Sequence, residues 1–378
     1  MQNQIPKNWQ NVRVGEIADI FDSLHETPAY DDKGYPMVRV TDIKPGFLKL
    51  DSCLKVSESI YQKFSKKHKA ELGDIVFSRV GSEGISSLVK DKIEFCLGQN
   101  TVFIVPKNSN NFLYYWLNSF LGKAGIKSKT TGSSQNTISL ESIKDLNIEI
   151  PPVPQQEEIS VILSAFDDKV EVNNKIAKTL EEMAQILFKK WFIYPQYPLG
   201  KLSDIAKITM GQSPSSKFYN KSSEGLPFHQ GVTNFGNRFP KHEIYCTENN
   251  RVAEKEDILF SVRAPVGRLN IADTKLSLGR GVAGIRHKQG YQSYLYYFLR
   301  RMFRKEDSLG GGSVFPAVTK DDMEGMEVLI PEEKLIKRFE DIVSNMDQRI
   351  EFIEKENQKL AALRDLLLPK LMRGEIRV

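Results

Sequence analysis

The feature that most constrains this chain is that it repeats itself. Val14-Gly-Glu-Ile-Ala-Asp-Ile20 returns as Leu199-Gly-Lys-Leu-Ser-Asp-Ile205, and Gly73-Asp-Ile-Val-Phe-Ser78 as Glu256-Asp-Ile-Leu-Phe-Ser261. Leu97-Gly-Gln99 returns as Leu278-Gly-Arg280, and Phe112-Leu-Tyr-Tyr-Trp-Leu117 as Tyr294-Leu-Tyr-Tyr-Phe-Leu299. Gly132-Ser133 with Ile138-Ser139 returns as Gly312-Ser313 with Val318-Thr319. The order is kept while the offset drifts only between about 185 and 180, which chance does not produce. The chain is a duplicated unit of about 180 residues, and a fold must be found for each copy.

Each copy has two parts. The first, about residues 10–150 and 198–330, reads as short strands broken by Gly, Asn and Pro turns, such as Asp74–Phe77, Thr101–Val105 and Asp257–Phe260. One helix-like stretch in each copy carries an aromatic run (Phe112–Leu121 and Tyr294–Phe303), whose spacing predicts core packing rather than base stacking. The second part is helical. Ile159, Leu163, Phe166, Val170, Asn173, Ala177, Leu180, Ala184, Leu187 and Trp191 follow an alternating 4-3 rhythm. Phe339, Val343, Met346, Ile350, Ile353, Asn357, Leu360, Arg364, Leu367 and Leu371 repeat that register. Over about four and a half heptads this is a coiled-coil seam, with Asn173 and Asn357 as polar positions that fix register. Helices of about 35 residues would be roughly 50 Å long. Pro154 and Gln155 are expected to precede the first helix, Pro195 and Pro198 to stop it, and Pro369 to close the second.

Two matched seams in one chain call for one another, so the expected fold is α+β. It has two mixed α/β domains separated by two long helices that form an antiparallel intramolecular coiled coil with pseudo-twofold symmetry. Pairing of the seams with another subunit is the alternative. The expected boundaries are 1–153 and 196–331 for the two globular domains, and 154–195 and 332–378 for the helical segments.

Composition narrows the function. The net charge is only +5. Within the helical segments, residues 155–194 carry seven acids with five bases and residues 332–373 nine of each, so the positive excess lies outside them, where nucleic acid could be bound. Cys53, Cys96 and Cys246 lie far apart, which argues against a disulfide framework or zinc site and suits a reducing cytoplasm. No run of about 18 apolar residues is present, so no membrane span is expected. Nor is catalysis visible. The Pro-Pro of Ile150-Pro-Pro-Val153 lacks the acid or amide and the aromatic of a DNA adenine methyltransferase turn. There is no Walker A motif, no G-x-G-x-x-G opening a helix, no Pro-Asp and no H-E-x-x-H. Gly310-Gly-Gly312 lacks the Gly-Lys-Ser/Thr of a phosphate loop and reads as a turn.

Several stretches resemble one family. Ile150-Pro-Pro-Val-Pro-Gln-Gln-Glu-Glu-Ile159 resembles the linker that opens the central helix of Type I restriction-modification specificity subunits, and Leu366-Leu-Leu-Pro-Lys-Leu-Met-Arg-Gly-Glu-Ile376 their C-terminal ending. Gly73-Asp-Ile-Val-Phe-Ser-Arg79, Met210-Gly-Gln-Ser-Pro214 and Gly312-Ser-Val-Phe-Pro-Ala-Val-Thr319 resemble motifs of their target-recognition domains. The first copy departs from these, with Phe21-Asp-Ser-Leu24 and Gln135-Asn136 at the corresponding places. The resemblance implies a non-catalytic adaptor in which each domain reads one half of a bipartite, asymmetric site in double-stranded DNA. It also implies helices that set the half-site spacing and dock two modification (methyltransferase) subunits, with restriction subunits joining for cleavage. S-adenosylmethionine and ATP would then belong to those partners alone. A coiled-coil scaffold whose domains bind proteins is the competing reading.

Candidate DNA contacts are polar side chains at strand ends and turns. Arg79 follows a strand and precedes glycines, and Arg263 and Arg268 lie in the corresponding loop. Gln99 and Arg280 occupy equivalent places after Leu-Gly, where a Gln suits adenine and an Arg guanine. Arg39 is expected to point outward on a face shared with Met37 and Thr41. Its rough counterpart, Leu226-Pro-Phe-His-Gln-Gly231, contains His229, which titrates near neutrality if exposed. Gln212 lies in the Gly-Gln-Ser-Pro turn. For each of these a solvated or structural role is the plainer alternative.

Overall fold

The computed structural model describes Pro6 and residues 8–81, 84–108, 110–131, 136–193, 197–307 and 317–378, without the side chains of 304–307. The Gly132-Ser133, Gln135, Pro195 and Gly310–Ser313 features therefore lie outside the described residues. The chain gathers into two units, 1–172 with 356–378, and 173–355. These differ from the expected four segments because each long helix is divided between two cores.

In the first unit, a four-stranded antiparallel sheet runs in the order Ala18–Asp22, Thr101–Pro106, Ile75–Ser78, Ser86–Leu88. Beside it, Leu54–Val56, Tyr35–Val38 and Cys96–Leu97 form a three-stranded sheet, and Gln10–Arg13 pairs with Asn147–Ile150. Ile75, Val76 and Phe77 are all fully buried, and so are their counterparts Leu259 and Phe260. A strand hydrophobic at every position is covered on both faces, and each such side chain contributes about 1.5–3 kcal/mol.

The second unit repeats the topology. Ala206–Met210, Val282–His287, Ile258–Ser261 and Leu269–Ile271 form the four-stranded sheet. Leu226–His229 lies between Tyr245–Cys246 and Leu276–Leu278 in the second sheet, which gains the outer strands Tyr219–Asn220 and Val252–Ala253. Registers match: Asp22 faces Val102 as Met210 faces Ala283. This shifts the alignment of the first copy by two residues, so that Ser23, not Phe21, stands where the second copy has Gly211.

The aromatic stretches are core helices, as their spacing predicts. Phe112–Leu117 and Tyr294–Leu299 are buried throughout. The second is one helix, Gln292–Asp307, but the first is two, Phe112–Asn118 and Phe120–Lys129. Ser119 makes the break: its hydroxyl accepts from the Gly122 amide at 3.2 Å, a cap that competes with helix continuation. Gly122 is required there, because a Cβ would lie 2.1 Å from the Trp116 carbonyl oxygen.

Two 40-residue helices, Val153–Phe192 and Glu333–Met372, carry the seams. The first begins before Pro154, which sits in the first turn where its missing N–H costs nothing. The second continues through Pro369, contrary to expectation. Its last residues, Leu371 and Met372, are buried in the first unit's core, and Gly374 at φ +66° supplies the stop. Every seam residue expected above is buried or half-buried. Within the first unit, Ile159 and Leu163 share a core with Leu371 and Met372. Within the second, Phe188 and Phe192 pack edge-on against Phe339. The start of one helix thus meets the end of the other, and the pairing is antiparallel in both units. A second stripe beside the seam (Phe188, Phe192 and Ile336) joins the core of the globular domain. The 4-3 rhythm did not predict that stripe.

The same stripe holds a matched pair of acids, Asp167 buried and Asp347 half-buried. Asp167 accepts from the Tyr115 hydroxyl at 2.8 Å and from Arg364 at 2.5 Å. Asp347, 180 residues on, accepts from the Tyr297 hydroxyl at 3.1 Å and from Arg238 at 2.5 Å. Arg364 interrupts the apolar seam for this purpose. Arg238, only 2% exposed, comes instead from a loop of the globular domain, stacks 4.6 Å over the Tyr296 ring and also faces Glu181 at 3.8 Å. Each globular domain is thereby tied to the helices it packs on.

Candidate nucleic-acid interface

In each unit two parallel strands end together. Tyr35–Val38 pairs with Cys96–Leu97 so that Val38 faces Leu97, and the Gly98 amide then donates to the Val38 carbonyl at 2.8 Å. Leu226–His229 pairs with Leu276–Leu278 so that His229 faces Leu278, and the Gly279 amide donates to the His229 carbonyl, again at 2.8 Å. Because the strands run the same way, their next side chains emerge at one edge. In the first unit these are Arg39 and Gln99. In the second they are Gln230 and Arg280.

Gln99, Gln230 and Arg280 are exposed and Arg39 is half-exposed. Arg39 reaches that position by a route alternation did not foresee. Met37 is fully buried, the strand stops at Val38, and Val40–Asp42 forms a 3-10 turn. The Arg39 Nε and Nη2 groups donate to the Asp42 carboxylate at 3.0 and 3.2 Å. That hydrogen bond raises the guanidinium pKa above its ordinary value and fixes its plane.

The second unit's turn is held by glycine. A Cβ on Gly281 would lie 2.2 Å from the Gln230 carbonyl oxygen, and one on Gly211 would lie 2.1 Å from the Gly279 carbonyl oxygen. Close backbone approach lets the Gln212 amide donate to the Leu278 carbonyl at 2.9 Å, and the Arg280 amide to the Ser213 hydroxyl at 3.1 Å. Exposed Gln212 therefore joins Gln230 and Arg280. In the first unit Asn100 stands in place of Gly281 at φ +61°, a conformation Asn tolerates.

Arg79 and His229 do not fit the exposed role expected of them. Arg79 is 14% exposed; its guanidinium donates to both Asp22 oxygens at 3.1 and 3.2 Å and to the Ile138 carbonyl at 3.2 Å. Its structural counterpart is buried Val262, since the amides of both donate to the turn residue ahead (Asn100 and Gly281) and the carbonyls of both accept from Ile138 and Val318. Arg79 therefore braces the loop from within. Arg263 and Arg268 lie exposed on the corresponding loop, Arg263 opposite Ala317 in an isolated bridge.

His229 is 3% exposed and starts a chain: its Nε2 lies 3.0 Å from His242 Nδ1, and His242 Nε2 lies 3.0 Å from Asp273. Burial, reinforced by His242, pushes the His229 pKa down to about 4, so the ring is neutral at physiological pH. Burial alone would raise the Asp273 pKa, but the His242 contact outweighs it and the carboxyl sits below its ordinary value. The chain holds the end of the strand that presents Gln230. Sequence reading missed Gln230, although the shared proline of Tyr35-Pro36 and Leu226-Pro227 sets it over Arg39.

No group of three or more His, Cys, Asp or Glu able to hold a metal occurs among the described residues. No described helix is long and apolar enough to cross a membrane.

The family described as the Type I restriction modification DNA specificity domain matches twice, over residues 6–182 and 197–362. A Methanocaldococcus jannaschii protein described as the type I restriction enzyme MjaX specificity subunit is 32% identical, over 99% of this chain and 95% of its own. The MjaIX specificity subunit of the same organism is 24% identical over the same shares. The crystal structure of a Type-I restriction-modification system S subunit from M. genitalium covers 98% of this chain and 97% of its own, with a TM-score of 0.63 at 18% identity, and so shares the fold.

Proposed function

The chain belongs to the Type I restriction modification DNA specificity family, and on that premise we propose how its parts divide the work of a non-catalytic, sequence-specific DNA-binding subunit. Each recognition domain reads one half of a bipartite, asymmetric target through the polar side chains at the ends of its parallel strands. The paired helices set the spacer between half-sites and dock two methyltransferase subunits, and restriction subunits join that assembly. S-adenosylmethionine and ATP act on those partners, and the work is done in the cytoplasm, where chromosomal and incoming DNA are met.

One observation carries this reading. Two copies of one scaffold present different polar side chains at the same edge, as two readers of unlike half-sites require. A salt titration tests it against the protein-binding scaffold. In complex with its modification subunits, the chain should bind duplex DNA with an affinity that falls steeply as salt rises, each phosphate contact adding about 0.9 to the log–log slope. Absence of duplex binding at low salt would favour the scaffold.

A further inference from the structure

The two edges carry the same pair of residue types in exchanged positions. At the end of the first parallel strand stands Arg39 in one domain and Gln230 in the other. In the turn after the second strand stands Gln99 in one and Arg280 in the other. The equivalence is set by hydrogen bonds, not by alignment alone, since Gly98 and Gly279 make the same 2.8 Å bond to the residue before Arg39 and Gln230. A Cβ on Gly98 would lie 3.4 Å from Arg39 Cγ, and one on Gly279 would lie 2.9 Å from Gln230 Cβ, so the residue that precedes the second member of each pair lies against the first.

Chemistry separates their tasks. A guanidinium has five N–H donors, and Asp42 engages the Nε side of Arg39. Its outer Nη edge stays directed away from Asp42 in a fixed plane, as bidentate donation to guanine O6 and N7 requires. A Gln amide donates and accepts at once, which matches adenine N6 and N7. In the second domain, Gly281 and Ser213 pin the turn that carries Arg280 against Gln230.

We infer that these four residues form two reader pairs, Arg39 with Gln99 and Gln230 with Arg280, each recognising neighbouring G·C and A·T pairs in exchanged order. This rests on the DNA-reading function proposed above, and it makes the target asymmetric by a swap of two residue types on one scaffold. Asp42 is a positioning residue for Arg39, and the His229–His242–Asp273 chain plays that part for Gln230.

Methylation-motif sequencing of cells carrying the complete system tests it, with the unsubstituted chain and with Gln99→Arg and Arg280→Gln. Q99R should replace one adenine by guanine in one half-site only, and R280Q one guanine by adenine in the other, with the spacer unchanged. Competition of permuted duplexes for the purified complex should show a roughly 5- to 150-fold preference at each altered position. Gln99→Ala and Arg280→Ala, which demand no new contact, should relax those same two positions and no others. An unchanged motif, or loss of both half-sites together, overturns the reader pairs. Failure of the unsubstituted chain to direct any bipartite motif refutes the DNA-reading function itself.

Discussion

The paired acids on the two long helices, Asp167 and Asp347, are equivalent by the repeat, yet their removal should cost very different amounts. Asp347→Leu leaves Arg238, 2% exposed, without its 2.5 Å carboxylate partner, facing Glu181 at 3.8 Å, the Tyr297 hydroxyl and the Tyr296 ring. Stranding one member of a buried ion pair costs about 3–5 kcal/mol. At roughly 2–4 °C per kcal/mol for a unit of this size, the second unit should melt about 6–20 °C lower. Asp167→Leu strands Arg364, but that guanidinium is 29% exposed and already reaches Asp365 at 2.8 Å, so it keeps a partner and water. Its loss should be about 1–2 kcal/mol. Replacing both partners, as in Arg238→Met with Asp347→Leu, should recover most of the loss, because the desolvated charge is gone and Glu181 retains Arg300. Thermal melting combined with hydrogen exchange of the Gln292–Asp307 and Phe112–Asn118 helices would assign each loss to its unit. Equal losses for the two acids, or a double variant as unstable as Asp347→Leu, would refute the reasoning.

Three further outcomes follow from the same geometry. His229 and His287 are held neutral by burial, each with its pKa lowered to about 4, so the unfolded chain binds more protons below about pH 6.5. Stability of the second unit should therefore be fully present above that pH and fall as pH drops toward 4, by up to about 3 kcal/mol per histidine, and a urea midpoint flat between pH 7 and 4.5 would contradict this. Arg79→Ala should lower the first unit's stability while leaving the methylated sequence intact, whereas Arg280→Ala should relax one half-site with little effect on melting; the reverse pattern would exchange their assigned roles. Deleting one heptad from both long helices should shorten the spacer and preserve both half-sites, and an unchanged spacer would sink the helices as its determinant.

How far the sequence could be read depended on whether the signal was local or paired. The duplication, the seam and the aromatic core helices follow from periodicity, because a helix facing one partner repeats its apolar side chains whatever surrounds it. The second stripe of Phe188, Phe192 and Ile336 belongs to contacts with a globular domain, which a heptad count does not contain. Arg79 looked like a reader because it follows a strand and precedes glycines. Only the fold brings Asp22 to it, 57 residues away in sequence. His229 was drawn inward by His242 and Asp273, again distant in sequence. Gln230 was the more legible omission, since its alignment with Arg39 needed only the shared proline. Pro369 misled because burial of Leu371 and Met372 in the first unit's core carries the helix past the hydrogen bond that the proline removes, and Gly374 is the true terminator.

The central claim is that two copies of one scaffold read two unlike half-sites. Comparing the methylomes of cells that express the complete system with and without this chain tests it most directly. The account predicts one motif gained with the chain, made of two different half-sites at a fixed spacing. A continuous motif, a palindrome, or no motif at all would contradict it.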